Sequence, residues 1–169
     1  SGCTPAWHHL LSVSTVPLVP CSEVHHFLAS QQPRLSMMQA RMCAPNECSC
    51  DENRPASMLE SPGFMKSSQW STLRREDVEL VIDPALHGEW MDAYTPDEHF
   101  TANVLRRAGR PFLWQDMTKV SNMTCSGHPV TYECEDSHQL EEFRRFVAAA
   151  REEGKMFARK VGPACTEWL

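Results

Sequence analysis

No stretch of the 169 residues reaches the roughly 18 consecutive apolar residues that a membrane-spanning helix needs. Positive charge is also short. Lys and Arg total 16 against 22 Asp and Glu, for a net charge of −6 and a pI of about 5.7, whereas a nucleic-acid binder normally carries a basic surplus. There is no G-x-S-x-G, P-loop or dinucleotide-binding glycine pattern, so hydrolase-elbow, ATPase and Rossmann readings have no direct support. The 8 histidines form neither an H-x3-H nor an HExxH pattern, and no D-x-D pair is present to hold a metal ion. Internal repeats and low-complexity tracts are absent. What remains is an ordinary globular composition, 41% hydrophobic and 22% charged, which excludes a disordered or collagen-like chain. The length suits one domain of ordinary size. The chain opens Ser1-Gly2-Cys3 without an initiator methionine, which reads as a fragment or a processed product.

Cysteine, by contrast, is abundant. Cys3, Cys21, Cys43, Cys48, Cys50, Cys125, Cys134 and Cys165 fit an oxidising compartment and an even set of bridges, whose connectivity sequence cannot fix. Cys43, Cys48 and Cys50 also permit a zinc-stabilised domain, although paired C-x2-C knuckles are lacking. Asn122-Met123-Thr124 is an N-glycosylation sequon, meaningful only in a secretory protein.

Strands and helices alternate along the chain, which predicts an α/β domain. Trp7–Val13 reads as a buried strand broken by Pro17 and Pro20. Ser22 suits the N-cap of a helix through Leu28. Between about 33 and 66 periodicity disappears, and four prolines and three cysteines predict a cross-linked or functional loop. Gln69–Leu73 reads as a strand and Arg75–Ile82 as a short helix. Thr95-Pro96-Asp97-Glu98 predicts a helix start with Thr95 as N-cap, Pro96 in the first turn and Glu98 as a capping-box carboxylate, and Gly109 is its natural stop. Phe112–Trp114 reads as a strand. Asp136 with Gln139 opens a further helix that Gly154 closes, and Met156–Ala158 forms a last strand.

Three features assemble into a candidate site: the acidic pair in Pro96-Asp97-Glu98-His99, the aromatic and acid in Trp114-Gln115-Asp116, and the dibasic Arg159-Lys160. A carboxylate, an aromatic platform and a cationic pair suit sugar transfer from a nucleotide donor. The carboxylate deprotonates an acceptor hydroxyl, the ring stacks on a sugar face, and the cations neutralise a departing diphosphate. Each residue type has a structural alternative. Glu98 suits a helix cap, Trp114 a core position, and Arg159-Lys160 a solvated surface pair.

Together these segments resemble the core-2/I-branching β-1,6-N-acetylglucosaminyltransferase family, in its plant and algal branch. His9–Leu18 is similar to that family's "LLSESCIPL" segment, and Lys66–Trp70 with Arg75 to its "GSQW…R" element. Pro96–Phe100 resembles "DEH(Y/F)", Phe112–Asp116 resembles "LTWVDW", His128-Pro129 resembles "HP", and Met156–Lys160 resembles "FLFARKF". Six motifs stand in family order over nearly the whole chain. The resemblance implies the C-terminal, acceptor-side half of a GT-A-like α/β fold, disulfide-linked and spanning 1–169. It implies a Golgi-lumen enzyme, type II in its full-length form, whose membrane anchor lies outside this chain. It implies inverting transfer of a GlcNAc- or xylose-class sugar from a UDP-sugar to a glycan hydroxyl, with no cofactor, metal ion or nucleic acid. Glu98 then matches the general base. Trp114 and Asp116 fall at the acceptor side, and Lys160 with Arg159 at the donor diphosphate. The rival expectation is a secreted, disulfide-rich binding module without catalysis.

Overall fold

The structure, a computed structural model, describes residues 6–31, 33–44, 50, 54–55, 63–93, 95–122 and 129–169. Among these lie seven strands: β1 (Trp7–His9), β2 (Thr15–Pro17), β3 (Ser36–Met42), β4 (Met65–Arg74), β5 (Phe112–Leu113), β6 (Thr118–Val120) and β7 (Phe157–Arg159). Four α-helices accompany them: α1 (Cys21–Ser30), α2 (Arg75–Val81), α3 (Phe100–Arg107) and α4 (Ser137–Glu152). None of the described helices is long and apolar enough to cross a membrane. The chain divides into two compact units, Ser1–Leu10 with Pro33–Asp116, and Leu11–Gln32 with Met117–Leu169. Among the described residues each unit holds one mixed sheet and one disulfide, so the protein is mixed α/β.

In the first unit the sheet order is β1-β4-β3-β5. β4 runs antiparallel to both β1 and β3, and β5 runs parallel to β3. β3 occupies part of the segment expected to be loop. Its Met37 and Met38 are not among the β-branched and aromatic residues that mark a strand, and a register irregularity between Met38 and Ala40 breaks the alternation that would have announced it. Pairing on both sides overrides that local signal, and Ser36, Met37 and Met38 are buried. Met38, Met65 and Leu73 of the sheet pack on Ala102 and Leu105 of α3, with Val78 of α2 alongside. A polar node ties α2 to this sheet. Buried Asp77 accepts from Ser36 Oγ and, at 2.8 Å, from Arg110 Nε, while Ser36 Oγ accepts from the Arg74 amide. A second apolar cluster joins Phe64, Trp90 and Cys50, and Cys43 is disulfide-bonded to Cys50.

The second unit builds the sheet β2-β7-β6, with β7 antiparallel to β2 and parallel to β6. Phe143, Phe146, Val147 and Ala150 of α4 bury against Val16, Leu18, Ala158 and Val161. The Cys134–Cys165 disulfide borders this core. Both ends of α4 follow the sequence. Asp136 Oδ1 accepts from the Gln139 amide at 2.8 Å. At the other end Gly154 takes φ +69°, and its amide and that of Lys155 bond back to Arg151 and Ala150. α3 ends in the same manner at Gly109, φ +66°. A side chain there would meet left-handed strain of about 1–2 kcal/mol.

Two helix starts differ from expectation. α1 has Pro20, not Ser22, at its N-cap and makes no side-chain cap. Thr95 does not cap either. Pro96–Glu98 is a 3-10 turn, and His99, at φ −133°, interrupts the backbone before α3 begins.

Of the eight cysteines, four are bridged and Cys21 is free, while Cys3, Cys48 and Cys125 lie outside the described residues. Peptide mapping of unreduced protein should therefore recover the 43–50 and 134–165 links. Closing the longer chain segment, with a separation of 31 against 7 residues, should stabilise more. Replacing both cysteines of a pair by serine should cost about 4 kcal/mol for 134/165 and about 2 kcal/mol for 43/50 in urea denaturation. The reverse order would contradict this account.

Candidate functional site

Glu98 stands at the end of the 3-10 turn, which Asn103 on the first turns of α3 fixes to β4. The Asn103 side chain is fully buried. Its Oδ1 accepts from the Met65 amide at 3.0 Å, and its Nδ2 donates to the Met65 carbonyl at 2.8 Å and the His99 carbonyl at 2.7 Å. Freed from capping, the Glu98 carboxylate pairs with Lys66 Nζ at 3.0 Å. Lys66 lies on β4 directly across from Arg41 of β3. Two cations facing each other on adjacent strands repel, and the pairing of Glu98 with Lys66 relieves part of that repulsion. The three side chains line a cavity of about 300 Å³ with Gln39, Ser67 and Ser68. Ser67 Oγ donates to the Glu98 carbonyl at 3.4 Å, and Gln69 Nε2 donates to Asp97 Oδ2. A carboxylate among amide, hydroxyl and cationic groups suits a polyhydroxylated ligand, one of whose hydroxyls it can deprotonate.

Trp114 follows β5 as a residue 59% exposed, with its ring stacked on Phe112 at 6.5 Å. It is thus a platform in solvent and not a core residue. It lines a different cavity, of about 380 Å³, with Met42, Met65, Arg106 and Arg110. Among the described residues Glu98 and Trp114 line different cavities, to which the adjacent β3 residues Arg41 and Met42 contribute in turn. Asp116 is buried.

Arg159 and Lys160 belong to the second unit. The Arg159 guanidinium is half-buried and Nε donates to Ser12 Oγ at 3.2 Å. Burial lowers its pKa from the ordinary value. Lys160 is half-buried, with its amide bonded to Ser121 Oγ at 3.4 Å and its carbonyl accepting from Tyr132 at 3.0 Å. Asn122 is exposed, but the rest of its sequon and His128 lie outside the described residues.

Sequence reasoning missed Lys66, Arg41 and Asn103 as parts of the site. The signal for Asn103 was available. It is a poor helix former placed between Ala102 and Val104 in an apolar stripe, and such a residue needs a buried partner. Lys66 and Arg41 carried no signal, because their meeting depends on the register of β3. The chain matches no model of a known protein family, and no curated protein is significantly similar to it in sequence.

Two predictions follow from this geometry. Asn103→Ala strands the buried amide and carbonyl of Met65, so stability should fall by roughly 2–4 kcal/mol in urea unfolding. A loss within 0.5 kcal/mol, the scale of an ordinary surface change, would contradict the clamp. The second concerns pH. Burial lowers the pKa of His9 and of His99 from the ordinary 6.5. The folded state then resists protons that the unfolded chain accepts, so this stabilisation is complete above about pH 6.5 and declines as pH falls below it. Denaturation midpoints from pH 7.5 to 5 should drop, and drop less in His9→Asn.

Proposed function

We propose that the chain is the acceptor-side part of an inverting glycosyltransferase, in which Glu98 is the general base. The observation that carries the reading is that the Glu98 carboxylate does not cap its helix but lines a polar cavity beside Lys66 and Arg41. In the reaction an acceptor glycan hydroxyl gives its proton to Glu98 as its oxygen bonds to the anomeric carbon. The bond to UDP breaks, and UDP leaves with the electron pair. Charge collects on the diphosphate, where fixed cations stabilise it. Lys160, with Arg159 beside it, takes that role through its match to the family segment, so transfer needs no divalent ion. The donor class is UDP-GlcNAc or UDP-xylose, and Trp114 and Asp116 are acceptor contacts. The resemblance further supports a Golgi-lumen setting with the anchor elsewhere in the full-length protein.

A non-catalytic, disulfide-linked binding module is the second reading. In its favour, Glu98 and Trp114 line separate cavities. Such a module would bind a glycan without turning over a donor.

The test is donor hydrolysis and transfer by the full-length protein with both UDP-sugars. Glu98→Gln should lower turnover by about 10²–10⁴-fold. Its fold should survive, because the partly exposed ion pair with Lys66 is worth no more than about 1 kcal/mol. Lys160→Ala should cost roughly 2–4 kcal/mol of barrier, and EDTA should leave activity intact. Unchanged turnover in Glu98→Gln would overturn the assignment, and glycan binding without any donor turnover would select the binding module.

A further inference from the structure

We propose that Cys43, Cys50 and His99 form a redox-gated zinc site, closed as a disulfide when oxidised and able to hold Zn²⁺ when reduced. The two sulfurs and a ring nitrogen of His99 lie within 4.8 Å of one another. Tetrahedral zinc needs about 3.8 Å between thiolates and about 3.6 Å from thiolate to imidazole, as its bond lengths require. Opening the 43–50 bond frees the two sulfurs to separate toward the first distance, and the ring nitrogen already lies within 4.8 Å of both.

His99 carries the second and independent observation. It is fully buried, and its Nε2 has no hydrogen-bond partner. An orphaned buried ring nitrogen is costly and asks for an explanation. Its Nδ1 lies 3.1 Å from the Thr95 carbonyl, so Nδ1 carries the proton and the Nε2 lone pair is free. A backbone carbonyl on the far nitrogen is the arrangement that orients metal-binding histidines. Burial also favours the neutral ring that a metal requires. Phe64 stacks on His99 at 5.4 Å, and Cys50 is buried with Trp90 beside it. Among these apolar neighbours two thiolates and one dication sum to zero charge, which avoids the cost of an uncompensated buried ion.

The chemistry balances with a dithiol reductant. The reductant supplies two electrons and two protons to the 43–50 disulfide, becoming a disulfide itself. Zinc then displaces the two thiol protons to solvent, and His99 donates its lone pair without protonation change. A solvent oxygen takes the fourth position. A disulfide oxidant reverses the sequence: it takes two electrons from the two thiolates and two protons from solvent and leaves as a dithiol, while the 43–50 bond re-forms and the ion is expelled. This site is independent of the proposed glycosyl transfer, and its test reads metal and thiols, not turnover.

The test uses the whole chain, reduced with a phosphine, desalted without oxygen and titrated with Co²⁺ and then Zn²⁺. One equivalent of Co²⁺ should give a thiolate-to-cobalt charge-transfer band and tetrahedral d–d absorption, both erased by Zn²⁺. The oxidised chain should give neither. Cys3, Cys21, Cys48 and Cys125 replaced together by serine should leave the bands in place. In that background Cys43→Ser or Cys50→Ser should abolish them, and His99→Ala should weaken binding at least tenfold. Because substitutions in a core can impair folding, the natural chain supplies a second measurement. Stoichiometric Zn²⁺ should slow alkylation of Cys43 and Cys50 at least tenfold relative to the same chain in EDTA. Absent bands in the reduced natural chain, unchanged affinity in His99→Ala, or equal alkylation with and without zinc would each overturn the proposal.

Discussion

The amide of Asn103 governs the arrangement of the first unit. At Met65, β4 extends beyond β1, whose pairing covers only Thr72 to Arg74. Met65 pairs with Met42 of β3, but on its other side its backbone polar groups would be left without a strand neighbour in a buried place. Asn103 supplies one in miniature, giving an acceptor to the Met65 amide and a donor to its carbonyl as an adjacent strand would. The same Nδ2 holds the His99 carbonyl. One side chain thereby joins a strand end, a helix start and the turn that carries Glu98.

The charge pattern and the buried histidine follow from that clamp. With Pro96–Glu98 fixed against β4, Glu98 meets Lys66 and neutralises one of the two cations that β3 and β4 place opposite each other. His99 faces inward at the same junction, stacked on Phe64. Two consecutive residues thus face different environments. Glu98 borders a polar cavity, and His99 lies in an aromatic and sulfur-lined interior. The interrupted backbone at His99, which is neither 3-10 turn nor α-helix, is what separates their directions.

Much of this was legible in the sequence where local chemistry decides. Asp136, Gln139 and Gly154 bound α4 as their types require, and Gly109 ends α3. Elements decided by distant pairing were not legible. β3 was hidden by methionines and by its irregular register, since its strand character comes from β4 and β5 on either side. The capping box at Thr95 and Glu98 failed for a related reason. Its sequence pattern is sound, but Lys66 from a strand 32 positions earlier in the chain takes the carboxylate. Trp114 was ambiguous because a ring at a short strand end serves equally as core or platform, and only the surrounding fold leaves it exposed.

The central claim is that a side-chain amide replaces a strand at Met65 and so holds the Glu98 turn in place. Native-state hydrogen exchange of the Met65 amide tests it most directly. That amide lies at a strand end, where fraying normally gives weak protection. Held by Asn103 Oδ1 in a buried site, it should exchange among the slowest amides of the first unit, close to the rate set by global unfolding. Exchange near the rate of an unprotected amide would show that the clamp is not formed in solution, and the positions inferred for Glu98 and His99 would fall with it.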